Sequence, residues 1–327
     1  MKNNCNYVFI ILFLFITAVS CKEEKSKNTT GVTRNIIAPP DFNADSAYKF
    51  VAEQVNFGPR VPNTPQHRKC GDYLIKQLER FGATTEVQAF QAKAYNGTML
   101  DLRNIKASFY PNAKKRILLA AHWDTRPYAD QDKIDTKKPI LGANDGGSGV
   151  GVLLEIARVI GSNTSPTVGI DIILFDGEDY GQPEFHDGPY NPDTWCLGSQ
   201  YWAKNKGNYS AYFGILLDMV GAKDAKFAME GTSMQYAPSV VKKVWDAGNR
   251  LGYGSHFIYQ QTSPITDDHA YVNTIAKIPM IDIIEYDGSH GNYFGKYWHT
   301  HNDNMDIIDR STLNAVGHTL LYVLYNE

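Results

Sequence analysis

Short runs that are apolar at nearly every position recur along the chain, and three of them stop at side chains able to carry charge. Arg116 to Asp124 reads R-I-L-L-A-A-H-W-D, Ile170 to Gly181 reads I-D-I-I-L-F-D-G-E-D-Y-G, and Tyr212 to Gly221 reads Y-F-G-I-L-L-D-M-V-G. A fourth, I-P-M-I-D-I-I-E-Y, fills 278–286. Runs of this length predict strands covered on both faces. Two more strands are predicted over 85–94 and 102–110. Apolar residues at helical spacing predict helices over Asp45–Val55 (Ala47, Phe50, Val51, Val55) and His67–Phe81 (Leu74, Ile75, Leu78, Phe81). Further helices are predicted over Val150–Ile160, Ser199–Lys206, Pro238–Gly252 and Arg310–Tyr325. Asn43 or Asp45 is placed to cap the first. Pro and Gly mark loops at 56–65 and 182–194. Strands alternating with amphipathic helices predict one α/β domain over 41–327, with a central, mostly parallel or mixed twisted sheet flanked by helices.

The first stretch follows another pattern. Lys2 precedes the apolar run Y-V-F-I-I-L-F-L-F-I-T-A-V (7–19), and Ser20-Cys21 follows. This is the layout of a secretory leader, too short and too early for a permanent span. Residues 1–20 are expected to be a signal peptide. A small residue directly before Cys resembles a bacterial lipobox, with Ala18 where Leu is commonest. The resemblance implies that Cys21 carries lipid. Residues 21–40 are then a lipidated N-terminus and a disordered polar tether. The expected location is exported and anchored to a bacterial membrane, at the periplasm or cell surface, with a soluble periplasmic protein as the alternative.

Composition narrows the classes. The chain has 327 residues, 43% hydrophobic and 20% charged, which is ordinary for a globular protein with ample core. A net charge of −3 provides no electrostatic footprint for nucleic acid. Twenty Tyr and five Trp point to aromatic surfaces or pockets. Outside the leader, Cys70 and Cys196 remain. Neither lies in a CxxC, their pairing is left open by spacing, and no catalytic role is assigned to them.

The chemistry gathers at strand ends, where ligands bind in open α/β sheets. One predicted strand ends in His122 and Asp124, one runs into Glu178-Asp179, and one ends at Asp218. Neighbouring buried carboxylates such as 178 and 179 require a cation or a shared proton. A metal with one acid ligating and the other acting as base meets that requirement. Asn144-Asp145 precedes a Gly-rich turn, T-D-D-H stands at 266–269, and W-H-T at 298–300. His and carboxylate are zinc-type ligands. Gly146, Gly147 and Gly149 lack a following Lys-Ser/Thr and read as tight helix–strand packing, not a phosphate cradle. Asp124 is expected to orient His122. Asp282 either supports the site or is a buried structural acid. His269, His290 and His301 are read as non-ligands, and Trp195, Tyr201 and Trp202 as packing.

In this order the motifs H-W-D, A-N-D-G-G-S-G-V, F-D-G-E-D, L-L-D-M-V-G, D-D-H and W-H-T resemble the M28-type zinc aminopeptidase superfamily over about residues 45–326. Within it they resemble the bacterial glutaminyl cyclases (glutaminyl-peptide cyclotransferases). F-D-G-E at 175–178, D-D-H at 267–269 and Trp298 directly before His299 carry the cyclase flavour. The stretches V-N-F-G-P-R-V-P (55–62) and H-W-D-T-R-P (122–127) add to it.

The resemblance implies a zinc-aminopeptidase-like fold. It implies one zinc on Asp145, Asp179 and His299, with Glu178 as acid/base. Asp218 and Asp267 would form a hydrogen-bonded catalytic acid pair, and Trp298 a wall of the substrate pocket. Position 179 departs from the pattern: Asp stands where Glu is usual, one methylene shorter. The implied activity is cyclisation of N-terminal Gln in peptides or proteins to pyroglutamate with loss of ammonia, by a monomer. The rival is an aminopeptidase with two zincs, the second on His122 and Asp218 with Asp145 bridging. A third reading is a non-catalytic binding lipoprotein.

Overall fold

Strand order decides which chain ends meet, and here it brings three of the charged strand ends side by side. The computed structural model describes residues 1–2, 36–163, 165–289 and 293–327. The expected leader and most of the tether, with Cys5 and Cys21, lie outside the described residues, as does His290. Residues Ile37–Glu327 form one unit.

In chain order the elements are α1 (Ala44–Asn56), α2 (Pro65–Arg80), β1 (Thr84–Lys93), β2 (Met99–Phe109), β3 (Arg116–His122) and α3 (Gly147–Ser162). Then come β4 (Gly169–Phe175), α4 (Leu197–Asn205), β5 (Phe213–Asp218), β6 (Phe227–Met229), α5 (Gly231–Tyr236) and α6 (Pro238–Arg250). The chain closes with β7 (Phe257–Gln261), α7 (Asp268–Tyr271), β8 (Met280–Ile284) and α8 (Arg310–Tyr325). The main sheet runs β1-β2-β4-β3-β5-β8. Its strands β4, β3, β5 and β8 are parallel, while β2 pairs antiparallel with both β1 and β4. The α/β architecture with a mixed sheet thus stands as expected. The short elements β6, α5, β7 and α7 have no counterpart in the predicted set.

Side-chain parity sorts the strands into two cores. Leu119, Ile172, Ile215 and Ile281 face one core with α1, α3, α6 and α8. Ala120, Ile173, Leu216 and Met280 face the other with Trp202 of α4 and Val272 after α7. With helices on both faces every residue of β4 is buried, so its sequence shows no apolar–polar alternation. The one acid inside it, Asp171, is answered from β3: Arg116 Nε lies 2.6 Å from its carboxylate.

Capping fixes the helix starts. Asn43 accepts from the Ser46 N–H at 2.9 Å, and Thr64 accepts from His67 N–H with Pro65 at the first helical position. Helix α3 is buried on nearly every face and lies across the sheet. A Cβ at Gly149 would sit 2.4 Å from the Leu217 carbonyl oxygen. The glycines of this turn therefore serve close packing of α3 on β5, as read from the sequence. Among the described residues no helix is long and apolar enough to cross a membrane.

Candidate functional site

Three neighbouring strands deliver the acids. Strand β3 ends at His122, β4 runs out through Asp176 to Glu178-Asp179, and β5 ends at Asp218. Asp145 stands in the turn before α3, where Gly146 takes φ 79° because a Cβ there would lie 2.5 Å from the Asp124 carbonyl oxygen. Asp267 caps α7, and His299 lies in the loop before α8. Sequence positions far apart thus converge on one cavity of about 470 Å³, lined among others by Asp145, Glu178, Asp218, Asp267, Trp298 and His299.

Asp145, Asp179 and His299 each offer a ligand atom, all within 4.8 Å of one another, and all three residues are buried. His299 Nε2 lies 3.3 Å from Asp179 and 3.6 Å from Asp145. Neither oxygen of the Asp179 carboxylate accepts a hydrogen bond, although Arg126 Nη1 stands 3.6 Å from Oδ1. A buried carboxylate in that condition is costly unless a cation completes it. One His with two carboxylates is a zinc donor set, so these residues fit the metal. Asp at 179 reaches the other two ligands despite its shorter side chain.

His122, Asp145 and Asp218 form a second such group. His122 Nε2 lies 3.0 Å from Asp145 and 3.2 Å from Asp218. The sequence-predicted residues are therefore all brought together.

Electrostatics at the site reflect crowded acid. Burial raises Asp179 to a pKa of about 6, with the Asp145 charge adding to it and His299 opposing. Burial likewise lifts Asp218 to about 7, against the pull of His122. Glu178 is pushed well above the usual carboxylate range, first by desolvation, with the Asp267 and Asp179 charges adding. A bound cation would work against these shifts.

The supporting residues hold the ligands in place. Asp124 accepts the backbone N–H groups of Glu178 and Asp179 at 3.1 and 3.2 Å. Its contact with His122 Nδ1 is 3.7 Å, beyond hydrogen-bond reach. Asp124 thus faces the His122 ring, and its hydrogen bonds go to the loop that carries both acids. Asp130 and Arg126, unassigned by the sequence reading, stand behind His299. Arg126 grips Asp130 through Nε at 2.7 Å and Nη2 at 2.6 Å, and Asp130 lies 3.5 Å from His299 Nδ1. A carboxylate on the far ring nitrogen sets a ligand's orientation and basicity. Asp303 accepts from the backbone N–H groups of Asn144 and Asp145 at 2.7 and 3.0 Å.

Aromatic rings enclose the imidazole. Trp298 stacks on His299 at 3.7 Å between centroids, and Trp195 lies parallel to it at 5.9 Å. Trp195 also carries the Arg126 guanidinium over its ring at 4.4 Å. Reading Trp195 as packing is corrected: it is a cavity wall. Trp202 is buried in the second core, as expected. His301 pairs with Asp132 at the surface and His269 with Glu230 in the interior. Cys70 and Cys196 are both free and buried. Cys196, Met219 and His299 all adopt φ between 49° and 55° around the site. Left-handed backbone at such residues is strain held by the surroundings, and it collects at functional sites.

Known proteins are similar to this chain in sequence and fold. The model of peptidase family M28 matches residues 104–324. The solved structure of a Zn-dependent exopeptidase from Parabacteroides distasonis is 56% identical, covers 89% of this chain and 100% of its own, and superposes with a TM-score of 0.87. That of Tannerella forsythia glutaminyl cyclase is also 56% identical, covering 88% and 100%, with a TM-score of 0.86. Among curated proteins, a glutaminyl-peptide cyclotransferase of Drosophila melanogaster is 25% identical over 284 residues, 79% of this chain and 74% of that one. The chain belongs to peptidase family M28 and, within it, to the bacterial glutaminyl cyclases.

Proposed function

We propose that the chain cyclises N-terminal glutaminyl residues of peptides and proteins to pyroglutamate, releasing ammonia. One observation carries this reading: Glu178 lies in one cavity beside the Asp145/Asp179/His299 set, with Trp195 and Trp298 as flat walls. The likeness to solved glutaminyl cyclases supports it.

Asp145, Asp179 and His299 would hold a single zinc. When bound, the zinc supplies Lewis-acid polarisation of the substrate's side-chain amide oxygen. The substrate's own α-amine attacks the amide carbon, so a C–N bond forms within one residue and the bond to the departing nitrogen breaks. Glu178 takes the proton from the attacking nitrogen and returns it to the leaving ammonia. Burial keeps this carboxyl's pKa high, which suits a group that must both accept and give a proton. Asp218 and Asp267 stand beside it on the cavity wall. The reaction is already intramolecular, so the pocket's task is to fold the side chain back into attacking distance. Trp298 and Trp195 provide flat surfaces for a small uncharged amide.

The second reading is a two-zinc aminopeptidase, favoured by the His122/Asp145/Asp218 group. Gln-initiated and Leu-initiated fluorogenic peptides separate the two. Pyroglutamyl product with ammonia is expected from the first, and little release from the second. Fast Leu release without cyclisation would overturn the cyclase reading.

The N-terminal sequence supports a location outside the cytoplasm. The apolar run 7–19 followed by Ser20-Cys21 supports cleavage of 1–20 and lipid on Cys21. The mature chain is a membrane-anchored monomer at the periplasm or cell surface. Mass spectrometry of the membrane fraction tests this: an unmodified Cys21 would remove the anchor.

A further inference from the structure

Asp282 is a carboxyl placed where a core strand should carry an apolar side chain. It sits in the middle of β8, fully buried, among Met280, Ile281, Ile283 and Ile284. No N–H or O–H group donates to either of its oxygens. An oxygen of another buried carboxyl, that of Asp267, lies within 4.8 Å of one of them. Asp267 is buried too, and only one of its oxygens is occupied, by the Asp268 N–H at the start of α7. The other meets no donor.

Two buried carboxyls cannot hydrogen-bond unless a proton lies between them. We infer that Asp282 is a positioning residue that keeps its proton and donates it in a hydrogen bond to Asp267, fixing that acid on the cavity wall beside Asp218. Desolvation pushes Asp282 well above the usual carboxylate range, which agrees with this assignment.

The surrounding framework points the same way. Glu230 accepts from the backbone N–H groups of Thr232, Ser233 and Ile265, and from His269 Nε2 at 3.0 Å. It therefore ties the chain on both sides of Asp267. Ser233 Oγ donates to Glu230 and accepts the Asp282 N–H at 2.9 Å. With His269 Nδ1 3.7 Å from the Asp282 carboxyl, both the main chain and the side chain of Asp282 belong to this cradle. It braces one proposed catalytic acid from behind, and an Asp282 carboxyl oxygen stands within 4.8 Å of it.

The inference rests on the cyclase reading for its kinetic effect, so the test carries one readout that does not. Asp282→Asn retains a donor to Asp267; Asp282→Ala removes it. The Ala variant is expected to lose about 100-fold in kcat, the scale of a misplaced catalytic group, with KM within about threefold. Asn is expected to stay within about fivefold of the parent, a rescue that a merely space-filling role would not give. Zinc content is expected to stay at the parent value in both. If Ala fails to fold, Asp282→Val, apolar and suited to a strand, replaces it. Infrared difference spectra of parent minus Asp282→Asn are expected to show a protonated-carboxyl band, whether or not the enzyme turns over. Absence of that band overturns the inference. So does an Asn variant as impaired as Ala, or loss of zinc from either variant, which would put a cation among Asp267, His269 and Asp282. A parent with no cyclase activity but with the band would sink the function and leave this inference standing.

Discussion

Cys196 Sγ donates a hydrogen bond to Glu178 Oε1 at 3.2 Å, and its own N–H donates to the Glu178 carbonyl at 2.9 Å. One residue, held at φ 55°, thus pins the proposed base by both main chain and side chain. Burial pushes the thiol's pKa well up, so it remains an S–H donor at neutral pH. Removing the donor in Cys196→Ala is expected to lower kcat about fivefold, for a bond of ~1 kcal/mol, and Cys196→Ser to stay near the parent. Steady-state kinetics on a Gln-initiated peptide decide this; an Ala variant of full activity would show that the thiol does not hold Glu178. The native protein is also expected to leave Cys196 unlabelled by thiol reagents until it is unfolded.

Glu178 and Asp179 are neighbours with separate proposed tasks, and metal content distinguishes them. Glu178→Gln is expected to keep its zinc and lose about 100-fold or more in kcat, because a proton carrier is removed and a ligand is not. Asp145→Asn and His299→Ala are expected to lose the zinc itself. Elemental analysis after dialysis measures all three, with a parent value near one per chain. If Glu178→Gln came out metal-free, the roles of the two acids would be exchanged; a robust parent value of two would favour the peptidase.

Arg126 is the buried cation behind the site, contacting Asp130, the Asp179 main chain and the Trp195 ring. Arg126→Met takes the guanidinium from a buried Asp130 carboxylate, leaving it only the Glu184 N–H and the His299 ring. A stability loss of about 3–5 kcal/mol is expected from that broken pair. Zinc affinity is expected to fall about 10–100-fold, since Asp130 would no longer be held against His299. Urea melts and chelator competition read the two effects; unchanged zinc affinity would show that Asp130 needs no anchor.

Glu230 makes stability depend on acid. Burial opposes its ionisation, but His269 and the backbone donors outweigh burial and lower its pKa from 4.5 to about 2. A depressed carboxylate stabilises the fold above its unfolded pKa and loses that contribution as pH falls through the folded value. Glu230→Gln is therefore expected to be less stable than the parent at pH 7, by roughly 3 kcal/mol for a shift of this size. The gap is expected to close as pH falls from about 4.5 toward 2. Melts at several pH values test it, and a gap that ignores pH would exclude the ionised carboxylate as its source.

The long elements were legible because their patterns are local. Strands β3, β4, β5 and β8 announce themselves as unbroken apolar runs, and α8 spans Arg310–Tyr325 as its spacing predicts. Strand β6 has three residues and α7 four, too few for any period to register. Of the proposed ligands only Asp179 follows directly on an apolar run; Asp145 and His299 were legible through the motif resemblance. Asp303 and Asp130 were not legible, because their partners lie far along the chain or act through a ring nitrogen. Trp195 sits after a Pro/Gly-rich loop, with no run to mark its direction. The Asp267–Asp282 pair joins a helix cap to a strand interior, and nothing in either stretch points to the other.

The three proposed zinc ligands stand at 145, 179 and 299, and the last imidazole arrives shortly before α8. A chain stopped or clipped ahead of His299 retains two of the three proposed ligands without the third, and it also lacks the closing helix. With the proposed ligand set, metal loading is a late event in the life of the polypeptide, coupled to its completion. Proteolytic fragments should be inert rather than partly active, and the ion itself can serve as a reporter that an individual molecule is whole.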